Sequence, residues 1–191
     1  MNTPDDYPLD SREGLPEALQ VLLADYPKAG WEAHPNFSGL VAFWLERHMM
    51  FRNVLGLLEA DVQARIDRSI DPQTYAKRLG RYGSNLVQGL HGHHQIEDGH
   101  YFPILKGLDA RLERGFEILD RDHHAMDGLL DRFARSANAV LSEGDDDRAR
   151  EHTVRFGREC AGFARMLHRH LDDEEQIIVP VILKNGAAGL A

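Results

Sequence analysis

The sequence has little cysteine, no long apolar run and a shortage of positive charge, and each shortage excludes a class of protein. Only Cys160 among the 191 residues is a cysteine, so no disulfide can form within the chain, and a reducing cytoplasm is the expected compartment. No apolar run approaches the roughly 20 residues that a membrane-spanning helix needs. Lysine and arginine total 22 against 31 acidic residues, a net charge of −9. This balance argues against nucleic acid or an anionic membrane as the partner.

Proline is distributed unevenly and separates an N-terminal arm from the rest of the chain. Five of the eight prolines lie before residue 36. We therefore expect residues 1–36 to form an arm with one short helix opened by Pro16, and residues 37–191 to form one domain. A disordered arm with a transient helix is the alternative. The apolar face of the short helix would consist of Leu15, Leu19, Leu22 and Tyr26.

From residue 37 onward, apolar residues recur every three or four positions, which is the period of an amphipathic α-helix. Four such stretches are separated by capping and terminating signals, namely Asp71-Pro72, Gly107 followed by Asp109, and Gly144 followed by three aspartates. No alternating pattern of a β-strand appears. Four long helices with short connections predict an all-α fold, an antiparallel up-down four-helix bundle.

A pair of histidine and glutamate occurs twice at the same spacing. His93 and Glu97 are matched, 77 positions later, by His170 and Glu174, and a proline stands six residues after each glutamate. Residues four apart lie on one face of an α-helix about one turn apart, so each copy presents an imidazole next to a carboxylate. A chain that builds this pair twice is most simply interpreted as holding a metal between two halves.

Helical periodicity selects six residues for a buried metal site. Each of the four helices has at least one histidine in its apolar seam, and the two glutamates lie in the same seams. Buried carboxylates without partners cost several kcal/mol or more each, whereas a central cation favours ionised carboxylates and neutral imidazoles. A hydrogen-bonded network without metal is the alternative. The expected ligands are His48, His93, Glu97, His123, His170 and Glu174.

Several polar neighbours of these six residues are expected outside the site. His94, His124 and His168 are adjacent to seam positions and are rotated by about 100° or more around their helices. The acidic residues near the seam glutamates are interpreted as a solvated rim. These residues are Asp98, Asp172, Asp173 and Glu175.

Four imidazoles and two carboxylates are more than one zinc ion needs and suit two six-coordinate ions with shared carboxylates. Taken in their order along the chain, the single histidines and the two histidine–glutamate pairs resemble the motifs of the hemerythrin-like, or HHE cation-binding, domain family over about residues 37 to 183. The resemblance implies an up-down bundle around two iron ions, oxo- or hydroxo-bridged, with Glu97 and Glu174 as bridging ligands. It also implies binding of dioxygen or nitric oxide, sensing of iron or oxygen, or action on peroxide and nitrosative damage.

The chain departs from the oxygen-carrying members at one ligand position. Those proteins have a second histidine four residues after the ligand of the third helix, where this chain has Asp127. A fifth histidine could come from His100, one turn beyond Glu97, or from His94 or His124, or could be lacking. The departure argues against plain oxygen carriage.

We therefore expect a di-iron protein that binds dioxygen, nitric oxide or a related small ligand, in sensing or in a stress response. An enzyme acting on peroxide or nitric oxide is one alternative, and it would need a proton donor such as Tyr82 or Tyr101 near the centre. Iron storage or structural metal binding is the other.

Overall fold

The computed structural model describes residues 7–37, 39–142, 147–187 and 190, and among these residues it contains helices and turns but no strand. The all-α prediction is therefore confirmed. None of the described helices combines the length and apolar character needed to cross a bilayer. The α-helices are α1 (Val21–Asp25), α2 (Gly39–Ile66), α3 (Pro72–Ile96), α4 (Phe102–Lys106), α5 (Glu113–Ser142) and α6 (Asp147–Asn185).

The helix boundaries follow the signals in the sequence. The Oδ1 atom of Asp71 accepts a hydrogen bond from the backbone N–H of Thr74 at 2.9 Å, which caps α3. Asp109 accepts one from the N–H of Arg111 at 3.1 Å, at the turn that leads into α5. Helix α4 ends just before Gly107, as predicted. The predicted break at Gly144 lies outside the described residues.

A π-helical turn, Glu97–Tyr101, joins α3 to α4. The residues on either side, Ile96 and Phe102, keep right-handed helical backbone angles, so the helical path is not broken. A π turn has more residues per turn than an α-helix and often occurs at functional sites. It shifts the face on which every later residue lies, and its first residue is one of the predicted ligands.

The chain divides into two compact units, and each unit takes one segment from every long helix. The first unit contains the described residues of Met1–His48, His93–Ala125 and His168–Ala191, and the second contains those of Met49–Gly92 and Met126–Leu167. All six predicted ligands belong to the first unit.

The N-terminal arm is part of the core of the first unit. Its short helix is divided into a 3-10 turn, Glu17–Leu19, and α1. The predicted apolar face is buried except for Tyr26, which is half-buried, so the described part of the arm is ordered by packing. Each leucine buried in this way contributes roughly 1.5–3 kcal/mol, which holds a proline-rich segment in place. The arm residues in this core are Leu15, Leu19, Leu22 and Trp31.

The second unit has its own core of aromatic and aliphatic side chains. The ring of Phe133 packs against Phe156, with ring centroids 5.2 Å apart. Cys160 is buried there, and burial, followed by the nearby charge of Glu59, raises the pKa of its thiol to about 12. Helix packing is close at Gly157, where a Cβ atom would lie 2.8 Å from Cγ1 of Val62.

Candidate metal centre

One histidine–glutamate pair, His93 and Glu97, forms a first group with His48 and Glu174, all in the first unit. The Nε2 atoms of His48 and His93 are 3.1 Å apart. Glu97 places Oε1 3.0 Å from the Nε2 atom of His93. Glu174 places Oε1 3.5 Å from the Nε2 atom of His48. Two imidazoles and one oxygen of each glutamate therefore converge, and all four ligand atoms lie within 4.8 Å of one another.

A second group forms on the other side of the same two glutamates. The Nε2 atoms of His123 and His170 are 3.2 Å apart. The Oε2 atom of Glu97 lies 3.6 Å from the Nε2 atom of His123. The Oε2 atom of Glu174 lies 3.4 Å from that of His170. Each glutamate thus directs Oε1 towards one pair of histidines and Oε2 towards the other pair.

His94 belongs to the second group. It is buried, and its ring stacks on that of His123 with centroids 4.0 Å apart and planes 10° apart. One nitrogen from each of His94, His123 and His170 lies within 4.8 Å of the others. The expectation that His94 is rotated away from the seam was wrong, because its ring is buried; this residue was also one of the alternatives for a fifth histidine. The centre is wide enough to take two adjacent residues of α3, with His93 in one group and His94 in the other.

The other candidates for a fifth histidine lie outside both groups. His100 is exposed, and its ring contacts Tyr101 at a centroid distance of 5.1 Å. The π turn explains its position, because the regular helical period that placed it in the seam does not hold after Glu97. His124 is exposed, as its position off the seam predicted, and its ring hydrogen-bonds the carbonyl oxygen of Asp120.

Several buried polar atoms of the centre lack hydrogen bonds among the described residues. They include both oxygens of Glu97, Oε2 of Glu174 and both ring nitrogens of His94. Burial, and next the carboxylate of Glu174, raise the pKa of Glu97 well above its usual value. A buried polar atom without a hydrogen bond lowers the stability of the folded protein. Cations bound between these atoms would satisfy them together. Imidazole nitrogen and carboxylate oxygen are ligands that iron, zinc and manganese accept, so these residues fit a pair of cations.

The protonation of the imidazoles suits metal binding. Burial lowers the pKa of His93 to about 3, and it also lowers the pKa values of His94 and His170. These three rings are therefore neutral, the form that coordinates a metal. Burial acts in the same direction on His48, but Glu174 and Glu175 outweigh it and raise its pKa to about 8. Metal binding near neutral pH would consequently displace a proton from His48.

Three of the histidines are oriented by carboxylates at their second nitrogen. In each, Nδ1 lies within hydrogen-bonding distance of an acidic side chain, which leaves Nε2 directed into the centre. Such bonds fix the tautomer of a metal-binding imidazole and increase its basicity. The pairs are His48 with Glu175 at 3.2 Å, His123 with Asp98 at 2.7 Å and His170 with Asp122 at 3.4 Å.

The interpretation of the acidic neighbours as a solvated rim was wrong for two of the four. Asp98 bonds His123 and is half-buried, whereas Asp173 and Glu175 are buried. The reason is that the N-terminal arm covers the last two with cations. Arg12 donates from Nε to Asp173 at 2.8 Å, and Lys28 donates to Glu175 at 2.9 Å. The fourth acidic neighbour, Asp172, is half-buried.

Aromatic residues line the side of the centre that holds His48. The indole N–H of Trp44 donates to Oε1 of Glu174 at 2.6 Å, and the ring of Tyr101 lies 4.8 Å from that of Trp44. Trp44 stands four residues before His48, so their shared helix face was a signal for its role. Tyr82, the other proposed proton donor, belongs to the second unit.

Comparison with known proteins identifies the family. The model of the hemerythrin HHE cation-binding domain matches residues 39–182, a range that includes every histidine and glutamate of the two groups and leaves out the N-terminal arm. No curated protein and no solved structure matches the chain. Because the family match spans most of the sequence, the chain belongs to the hemerythrin HHE cation-binding domain family.

Proposed function

We propose that the protein is a non-haem di-iron protein that binds dioxygen, nitric oxide or a related small ligand in sensing or stress response. The observation that supports it is the arrangement of Glu97 and Glu174, each of which directs one oxygen to each group of histidines. Carboxylates in this arrangement would serve as ligands to both of two ions. The first ion would be held by His48 and His93, and the second by the remaining three histidines. These are His94, His123 and His170.

The ligand count supports an open position at the first ion. Two imidazoles and two carboxylate oxygens would supply four bonds there, while His94 would bring the second ion to five. If both ions are six-coordinate, more coordination positions would stay open at the first ion than at the second. Bound iron would supply its open coordination position to the small ligand. His93, at 10% exposure, is the most accessible side chain of the first group.

An enzyme that acts on peroxide or nitric oxide is the second candidate. The observation that favours it is the phenol of Tyr101, which is half-buried and packs against Trp44 beside the first group. Such a group could deliver a proton to a reacting ligand. Steady consumption of added peroxide, lost in Tyr101→Phe, would support this candidate over reversible binding.

The fold around the centre is proposed to be an antiparallel up-down bundle of α2, α3, α5 and α6. The support lies in the composition of the first unit, which takes the N-terminal parts of α2 and α5 and the C-terminal parts of α3 and α6. Alternating chain direction brings together such ends. Residues 1–36 are proposed as the arm and 37–191 as the domain, and a cytoplasmic location stays a prediction.

Ligand binding to purified protein tests the proposed function. Protein loaded with Fe(II) without oxygen is expected to hold about two ions per chain, and its visible spectrum is expected to change with nitric oxide, or with azide after oxidation. His48→Ala is expected to abolish the response, whereas His124→Ala, at an exposed ring, serves as the control. A spectrum that ignores both ligands at high concentration would instead favour storage or structural metal binding.

A further inference from the structure

The N-terminal arm lies outside the family match, yet it supplies two cations to the carboxylates that orient ligand histidines. Residues 39–182 match the family, whereas Arg12 and Lys28 precede that range. Arg12 reaches Asp122, and Lys28 reaches Glu175. The arm therefore contacts the residues around the centre through two charged side chains as well as through its leucines.

The contact between Arg12 and Asp122 is buried and consists of hydrogen bonds to both carboxylate oxygens. Its guanidinium donates from Nη1 to Oδ1 of Asp122 at 3.2 Å and from Nη2 to Oδ2, and both side chains are 1% exposed. The Oδ2 atom of Asp122 also accepts from Nδ1 of His170 at 3.4 Å. Burying such an ion pair carries a desolvation cost, and apolar residues often hold a segment equally well. The buried leucines already anchor the arm, so docking alone does not account for this arginine.

Lys28 makes a similar contact at the other group of histidines. Its Nζ atom donates to Oε2 of Glu175 at 2.9 Å, while Oε1 of the same carboxylate lies 3.2 Å from Nδ1 of His48. The lysine side chain is 68% exposed, so this contact is weaker than that of the buried arginine. Each group of histidines thus has one ring that is linked, through a carboxylate, to a cation of the arm.

We propose that Arg12 and Lys28 are positioning residues of the metal centre, which set how strongly His170 and His48 donate electrons to the ions. A carboxylate that accepts the Nδ1–H bond makes an imidazole a stronger donor. A cation on the same carboxylate weakens that effect, and its own charge disfavours the more highly charged ferric state. Both effects raise the reduction potential, so removing the cation lowers it. The inference rests on the proposed di-iron function.

Redox titration of iron-loaded protein, with the iron content measured first, tests this inference. Arg12→Met is expected to raise the ferric-to-ferrous ratio at a fixed potential by roughly tenfold, which corresponds to about 59 mV for a one-electron step. Arg12→Lys, which keeps the charge, is expected to recover part of the shift. Lys28→Met is expected to shift the ratio a few-fold in the same direction, and it carries the test if Arg12→Met does not fold.

Arg169→Met is the matched control. Arg169 also contacts the arm, donating to the carbonyl oxygen of Glu13 at 2.6 Å, and it pairs with Asp173 rather than with a carboxylate that holds a histidine. A shift as large as that of Arg12→Met would show a general charge effect and overturn the inference. An unchanged potential in Arg12→Met, or in Lys28→Met where that variant carries the test, would also overturn it. Wild-type protein that binds no iron would contradict the proposed function itself.

Discussion

Replacing Glu97 by leucine separates the cost of building the centre from the benefit of its metal. This side chain is buried, neither of its oxygens has a hydrogen bond among the described residues, and burial with Glu174 raises its pKa. An unsatisfied buried polar group costs about 1–3 kcal/mol, and leucine removes it with a side chain of similar size. We expect the free energy of unfolding of the metal-free protein to rise by about that amount. At 2–4 °C per kcal/mol, Tm would rise by roughly 2–12 °C.

With iron present, the sign is expected to reverse. An ion that binds only the folded state stabilises it by about 4 kcal/mol at a thousand times its Kd, and Glu97 supplies one oxygen to each proposed ion. The leucine variant should lose most of this increment. Calorimetry in chelator and in Fe(II) without oxygen measures both effects, and Glu46→Leu, at an exposed position of α2, should change Tm little in either. A variant that is less stable than the wild type by the same amount in both conditions would refute the reasoning.

Three further predictions concern single side chains. His94→Ala should weaken binding of the second iron on the order of tenfold or more, measured by competition with a chelator, whereas equal loss in His124→Ala would contradict the assignment. Gly157→Ala should destabilise the protein by about 1–3 kcal/mol in chemical denaturation through its close helix contact, while Gly128→Ala, which meets only ordinary contacts, should stabilise it by up to about 1 kcal/mol. Cys160, with its raised pKa, should react with a thiol reagent at pH 7 only after unfolding, and rapid labelling of native protein would refute its burial.

Much of the all-α fold and the core of the candidate site could be predicted from local periodicity. The apolar seam of an amphipathic helix faces the core, so histidines at seam positions lie inside the protein. This places four of the candidate ligands at the centre, namely His48, His93, His123 and His170. The capping aspartates could also be predicted, because a cap acts within one turn of its own residue.

The wrong predictions have physical causes that local periodicity does not describe. A seam treated as a single line cannot contain two adjacent residues, yet the centre is wide enough for both His93 and His94. A regular helical period cannot anticipate the π turn that turns His100 outward. The burial of Asp173 depends on Arg12, which is 161 residues away in the sequence, and no local pattern predicts such a contact.

The location of bound iron in crystals, determined by anomalous diffraction at the iron edge, tests the central claim most directly. Two peaks per chain are predicted, each in contact with one oxygen of Glu97 and one of Glu174. One peak should lie at the Nε2 atoms of His48 and His93, and the other among the three remaining histidines of the centre. A single peak, a peak that leaves the glutamates uncoordinated, or no peak in crystals grown with iron would contradict the di-iron account.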